Sequence, residues 1–547
     1  MLSSVSGTNR SFAIRAIAVF FAAFLFFFCG TGDSSLWDID EPIYAQSLKE
    51  QIAEHNLVVP LYNGHLLPDK PELNYWLMWV GVRLLGMNAW GLRIGSAMVG
   101  ALLSLYIILA LRRICGEGVS LLSGLLVATA LHSTVIFRSA TPDPLLVLTV
   151  TVSLLSYLRG YLYPEIRSRE LHVSYVAMAL ATLDKGPIGF LLPGLIIVLF
   201  LMLRKQIHFL WKNGYLITGV LLFVLICFPW YMAVGLETGW NWDRLFIIQQ
   251  NIGRFDNSMQ GHKGPWMYYL VSTFLGMLPW SIFLPEMFYV IWDSRKNLFS
   301  GNPERLFFLV WAAAWIAFFS LSATKLPNYV LEAYPPLFFL LAIYFEEYGY
   351  NDVTEKRRLL YFSIFFLFVI GAALSIFGTF FLPFKEFHLP KMPELGIPYM
   401  AAAAISVLAI HGGRWKESLT ALGVGSILLS MMLVFVIIPP INKLKPSRRM
   451  GIEIARVQGG SPYRLASWKW FQPSFLFYAG RGNMPIHRLK NASQISGLTG
   501  TEPLFLVCPK KNTSSVYAAV SPGTQVRTIM TSYELYSHEY ISLIEIK

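Results

Sequence analysis

The chain has 547 residues, 55% of them hydrophobic and only 14% charged, with 40 Phe, 26 Tyr, 16 Trp and a formal net charge of +12. Soluble domains average about 25% charged residues, so this composition, with a mean hydropathy of +0.51, excludes a soluble multidomain enzyme and a disordered chain. Four scattered cysteines, Cys29, Cys115, Cys227 and Cys508, exclude a disulfide-stapled scaffold, and a polytopic membrane protein remains.

A bilayer core takes about 20 apolar residues of helix. The first such run is Phe12–Gly30. A cleavable signal peptide competes for it, but the run is long, rich in Phe and followed by no small-x-small cleavage site. Further spans are expected at 92–111, 119–137, 142–161, 172–184, 186–203, 214–234, 266–291, 304–322, 326–345, 358–380, 397–411 and 416–438, which makes 13. An odd number puts the termini on opposite sides. With the N-terminus inside, the inner segments hold 18 Lys and Arg against 11 in the outer segments before residue 440. That bias places the N-terminus in the cytoplasm and the C-terminus outside.

The outer loop 31–91 opens Asp38-Ile39-Asp40-Glu41-Pro42. Pro42 suits the first turn of a helix. Tyr44, Leu48 and Ile52 then repeat every four residues opposite Gln46, Lys49, Glu50 and Glu54, which predicts an amphipathic helix lying along the membrane surface. Asp40 and Glu41 are either its cap and first-turn acid or catalytic carboxylates held at the bilayer edge. The same loop closes with Asp69-Lys70-Pro71, where two flanking prolines stiffen an acid–base pair. A lysine fixed there suits a lipid phosphate as a point charge.

Later outer segments add Thr141-Pro142-Asp143, Asp184-Lys185, Arg254, His262 and Lys325. Each has a bland alternative as a cap, a turn or a solvated side chain. Their specific feature is a shared side, which points to one polar site beside the helix ends. Inner loops are short and basic and carry no phosphate-cradling glycine motif. An enzyme working on the outer face meets no nucleotide sugar, so its donor is expected to be carried by a lipid. Residues 441–547 hold 14 Lys and Arg against 5 Glu and no Asp. This segment is expected to be a small α/β domain outside the membrane, following a transmembrane catalytic domain at 1–440. Its charge suits anionic headgroups or a phosphate-rich acceptor.

Taken together, these segments resemble the GT-C membrane glycosyltransferases, in particular the aminoarabinose transferase branch that modifies lipid A. The resemblance rests on Asp40-Glu41-Pro42, Asp69-Lys70-Pro71 with Tyr75-Trp76, and Thr141-Pro142-Asp143. It continues through Lys185-Gly186, Ile252-Gly253-Arg254-Phe255, Pro265-Trp266, Lys325-Leu326-Pro327 with Tyr329, and Gln472-Pro473-Ser474. It implies a GT-C fold of about 13 transmembrane helices with a periplasmic C-terminal α/β domain, in a bacterial inner membrane. It further implies an undecaprenyl-phosphate-linked sugar as donor, lipid A or another envelope glycan as acceptor, and inversion at the sugar carbon. Membrane lipids are the remaining partners, and no nucleic acid is expected.

In that resemblance Asp40 takes the place of the catalytic acid, with Glu41 beside it, and Asp143 that of a second essential acid. Lys70 and Arg254 match residues that hold the carrier phosphate, and Lys185 and Lys325 add positive charge to the same side. Asp69 stands where the family often has a Glu metal ligand, which pairs it with His262 as an expected divalent-metal site. Two departures stand out: Gln250-Asn251 replaces a Glu-His pair, and Glu72 replaces a proline. A protein O-mannosyltransferase of the same superfamily and a flippase for lipid-linked sugars are the competing functions. The latter calls for inverted repeats and charges at mid-membrane.

Overall fold

A computed structural model describes residues 2–253, 264–293, 301–348, 357–380, 391–498 and 500–547. All thirteen predicted spans are helical within it. They begin with α1 (Leu2–Phe28), after which α2 (Asp40–Ala53) and α3 (Leu73–Leu85) occupy the first long loop. The span expected at 92–111 and the larger part of that at 119–137 lie in α4 (Ala89–Thr129), interrupted where Gly116 takes φ 88°. Glycine adopts that conformation without steric cost, so a single residue separates the two predicted segments. Then follow α5 (Leu131–Ile136), α6 (Asp143–Leu162), α7 (Arg167–Lys185), α8 (Ile188–Leu203) and α9 (Tyr215–Thr238).

Among the described residues, nine helical segments are long and apolar enough to cross a membrane. A tenth crossing is broken: Tyr268–Gly276 and Trp280–Asp293 bend by 116°. The helix α8 is shorter, at 16 residues, and α7 is a more polar helix packed between α6 and α9. One continuous core runs through the bundle, from Phe27 and Leu103 to Trp311, Phe338 and Leu422.

The amphipathic helix expected along the membrane surface is instead enclosed. In α2 the predicted polar positions Gln46 and Glu50 are as buried as Tyr44 and Leu48. Burial is possible because the polar groups pair: Gln46 Nε2 donates to Glu50 Oε1 at 2.7 Å, and Glu50 also accepts from the backbone of Asn63 and Gly64. Asn63-Gly64 forms the turn of a small hairpin, β1 (Leu61–Tyr62) and β2 (His65–Leu66), with both turn residues at positive φ. An Asn-Gly pair favours that turn.

The C-terminal segment folds as helix Pro446–Gln458 leading into β3 (Arg464–Trp468), β4 (Ile486–Leu489), β5 (Leu504–Pro509), β6 (Val526–Glu534) and β7 (Glu539–Ile546). The sheet order is β4-β3-β5-β7-β6, with β3 parallel to both neighbours and β7 antiparallel to β5 and β6. Alternate residues of the buried strand β5 face opposite layers: Phe505 and Val507 join Met450, Ile454 and Phe475, while Leu504 and Leu506 join Ile495 and Val516. Such two-sided burial is what a central strand covered on both faces requires.

This segment rests on the first loop. Helix Pro473–Ala479 packs against α2, and Lys49 Nζ donates to the carbonyls of Phe477 and Gly480 at 2.9 and 2.6 Å. Lys445 Nζ donates to Leu36 O at 2.7 Å, and the Leu36 N–H donates to Tyr478 Oη at 2.8 Å.

Candidate functional site

The site forms where α2 begins, at the end of the bundle that carries the C-terminal segment. Arg93, the lone charge in an otherwise apolar stretch of α4, is fully buried and aims back at the loop before α2. Its Nε and Nη2 clamp the Glu41 carboxylate at 2.8 and 2.6 Å, and its Nη1 reaches Ser34 Oγ at 2.7 Å. Glu41 also accepts from the N–H groups of Trp37 and Ala140, both at 2.7 Å. Burial alone would raise the Glu41 pKa; Arg93 and these N–H donors outweigh it and hold the carboxyl below its usual range. Both oxygens are thus committed, so Glu41, expected among the catalytic acids, ties together the first loop, α4 and the segment before α6.

Asp40 is oriented by that anchor and remains exposed. It borders a cavity of about 570 Å³ with Trp37, Asp38, Arg138 and Thr141. The opposite wall is apolar, formed by Leu433, Val434, Phe435 and Ile438. No side-chain cap stands before α2; Ile39 occupies the cap position, so Asp40 lies in the first turn and does not serve as the cap.

A second cavity, of about 500 Å³, contains Lys70, Lys185, Tyr329 and Glu332 against apolar walls that include Leu191, Ile247 and Phe318. Lys70 Nζ lies 3.1 Å from Asp69 Oδ1, and Tyr44 Oη donates to Asp69 Oδ2 at 3.0 Å. Lys185 Nζ meets Asp143 Oδ1 at 2.5 Å, and Asn328 Nδ2 donates to the same oxygen at 2.9 Å. The Tyr44 phenol joins the two halves. Its pKa is pushed well up by burial and then by the charges of Asp69, Asp40 and Asp143, so it stays protonated and donates.

The sequence-predicted residues therefore divide. Asp40 borders one cavity, while Lys70 and Lys185 border the other, with Asp69 and Asp143 behind the lysines. Lys325 does not line either cavity: its ammonium donates to the carbonyls of Phe319 and Ser320 at 2.9 and 2.6 Å and lies over the Tyr269 ring. Arg254 and His262 lie outside the described residues. Asp69 accepts from Lys70 on one oxygen and from Tyr44 on the other. Among the described residues no group of three or more His, Cys, Asp or Glu side chains is placed to hold a metal ion.

Three residues were not singled out from sequence: Arg93, Arg138 and Glu332. For Arg93 and Glu332 a signal was present, as each is a lone charge inside a predicted apolar span, where charge is costly and serves a purpose.

Residues 69–232 match the family model described as dolichyl-phosphate-mannose-protein mannosyltransferase. An undecaprenyl phosphate-α-4-amino-4-deoxy-L-arabinose arabinosyl transferase of Pseudomonas aeruginosa is 30% identical over 400 residues, which is 72% of this chain and 65% of that protein. The chain thus spans just under two thirds of that transferase. An uncharacterized protein of Aquifex aeolicus is 26% identical over 85% of this chain and 87% of its own length. In structure, ArnT from Cupriavidus metallidurans, solved bound to undecaprenyl phosphate, superposes over 98% of both chains with a TM-score of 0.77 at 19% identity. At that identity the likeness is one of fold.

Proposed function

Since this chain is a multi-pass membrane protein of the GT-C glycosyltransferase superfamily, we propose that it moves a sugar from an undecaprenyl-phosphate-linked donor to lipid A or another envelope glycan. The observation that carries this reading is the paired cavities. One holds two lysines in apolar walls, as a lipid phosphate requires. The other is bordered by the exposed Asp40 and by Arg138. The charge bias of the loops supports a periplasmic site.

The donor's leaving group is an anionic phosphate, so the chemistry asks for charge stabilisation more than protonation. Lys70 and Lys185, held in place by Asp69 and Asp143, supply it in a site shielded from water, where electrostatic stabilisation is strongest. The acceptor oxygen attacks the anomeric carbon from the side opposite the phosphate, the sugar–phosphate bond breaks, and the configuration inverts. Asp40 orients a hydroxyl acceptor and takes its proton, an effect worth roughly 10²–10⁴-fold. A phosphate acceptor is already a nucleophile, and Asp40 then acts by position and charge. Asp69 holds Lys70 and Tyr44 in place in this arrangement, and every step above is carried by side chains.

The family match supports a second reading, with a Ser or Thr hydroxyl of a protein as acceptor. The apolar wall at Leu433–Ile438 favours a lipid acceptor. Mass spectrometry of lipid A, phosphates included, from cells with the gene, without it, and with an Asp40→Asn copy tests the proposal. A pentose or hexose lost on deletion and not restored by Asp40→Asn is the expected result. Unchanged lipid A with a lost protein or surface glycan would move the acceptor elsewhere. Unchanged glycans with mislocalised carrier lipid would favour a transporter.

A further inference from the structure

Glu332 is a buried acid that the site described above does not account for. It lies in the short 3₁₀ helix Pro327–Ala333 at the start of a predicted span and is 1% exposed. Its Oε1 has no hydrogen-bond partner among the described residues. A buried carboxylate oxygen without a partner is costly, and an ionisable residue inside a membrane segment marks a substrate path or a buried partner.

The obvious structural partner is taken. Lys185 is engaged by Asp143 at 2.5 Å, and Lys70 by Asp69 at 3.1 Å. Glu332 borders the same cavity as both lysines. It acts on Lys185 from a distance, outside the 2.5 Å contact that Asp143 makes, and is thus a second acid on that lysine. Residues three apart in a 3₁₀ helix eclipse one another, which sets Glu332 on the same face as Tyr329, and both border the cavity. An aromatic ring next to a hydrogen-bond-accepting carboxylate, beside a pair of ammonium groups, suits a polar ring joined to a phosphate.

We propose that Glu332 is the sugar-reading residue of the donor site: it accepts hydrogen bonds from hydroxyl or ammonium groups of the sugar while Lys70 and Lys185 hold the phosphate. This rests on the glycosyltransferase reading above and adds to it a means of telling donor from product. A carrier phosphate that still bears its sugar presents donors to Glu332. The bare carrier left after transfer presents no sugar donors to Glu332.

The test is equilibrium binding to the purified full chain in lipid nanodiscs. Three probes are compared: undecaprenyl phosphate, its hexose-linked form and its amino-sugar-linked form. Loss of one hydrogen bond to a charged group corresponds to about ten- to a hundredfold in affinity. Wild type is therefore expected to bind a sugar-linked probe about tenfold or more tighter than the bare carrier. Glu332→Gln should erase that preference while leaving bare-carrier affinity unchanged or higher. Glu332→Asp, which keeps the charge but withdraws it by one methylene, guards against misfolding and should keep carrier binding with a reduced preference. A greater loss for the amino-sugar probe identifies an ammonium contact; equal losses identify hydroxyls. If either variant keeps the full preference, or loses bare and sugar-linked carrier alike, Glu332 is a counter-ion of the lysines and the proposal is wrong. Wild type that binds no carrier at all would overturn the glycosyltransferase reading itself, and this inference with it.

Discussion

The Lys445 ammonium lies 3.8 Å from Asp38 Oδ2, with both side chains 2% exposed. This joins the C-terminal segment to the backbone two residues ahead of Asp40. The Ser474 N–H donates to Asp38 Oδ1 at 2.9 Å, so the same carboxylate is held from two points of that segment. Burial raises the Asp38 pKa against the pull of Lys445 and Ser474, and burial lowers that of Lys445 against Asp38. Removing one partner of such a pair leaves the other stranded and costs about 3–5 kcal/mol. Lys445→Met is therefore expected to lower thermal stability and kcat, with KM for the donor little changed. Asp38→Asn combined with Lys445→Met should recover most of the stability. Thermal unfolding and steady-state kinetics of the two variants check this.

Two adjacent acids are predicted to fail in different ways. Asp40→Asn should lower transfer by about 10²–10⁴-fold with an unchanged melting temperature, because the carboxylate is exposed and Glu41 carries the anchoring. Glu41→Gln leaves Arg93 buried with a weakened partner. It should cost stability by about 3 kcal/mol and lose activity together with the fold. Comparing melting temperature with activity for both variants decides between these roles.

On the donor side, Lys70→Met and Lys185→Met should each raise Kd for undecaprenyl phosphate by about tenfold, the value of one hydrogen bond between charged groups. Lys185→Met should also destabilise the protein, since it strands Asp143. Asn328 remains as its hydrogen-bond donor, which moderates the loss. Carrier binding and thermal unfolding measured side by side separate the two effects. A Lys70→Met protein that binds carrier as tightly as wild type would remove Lys70 from the phosphate site.

Burial lowers the Lys49 pKa from 10.5 to about 8, with Glu50 opposing. The unfolded chain therefore binds more protons than the folded one between those values, and stability rises with pH across that window. The contribution is complete above pH 10.5 and falls away as pH drops toward about 8. Neutral Lys49 can still donate to the carbonyls of Phe477 and Gly480. Wild type is expected to gain melting temperature relative to Lys49→Met between pH 8 and 10.5. Parallel curves for the two proteins across that range would show that Lys49 does not titrate there.

The fold was legible where a local rule applies. Span length and loop charge depend on neighbouring residues alone, and every predicted span is helical. That Asp40, Lys70 and Lys185 would border cavities near span ends was legible because each stands in a stiffened or helix-breaking motif. What escaped were pairings between distant segments. Glu41 reads like a second catalytic acid until Arg93, 52 residues away, takes both its oxygens. The helix α2 reads as a surface helix because its pattern does not reveal that Gln46 and Glu50 satisfy one another, or that helix Pro473–Ala479 covers it. Glu332 carried a signal, an acid in an apolar run, whose meaning depended on Lys185 being already paired.

The docking of the last hundred residues onto the first loop also fixes an order of events during synthesis. Asp40 leaves the ribosome early, but Lys445, Ser474 and Tyr478, which hold the loop ahead of it, emerge only after the spans have been made. A chain cut short at the final span would carry all of the lysines and acids of both cavities and still lack the clasp on Asp38 and Leu36. The clasp on Asp38 and Leu36 is thus made only after Lys445, Ser474 and Tyr478 have emerged, and a chain ending at the final span cannot hold the first loop in its finished form.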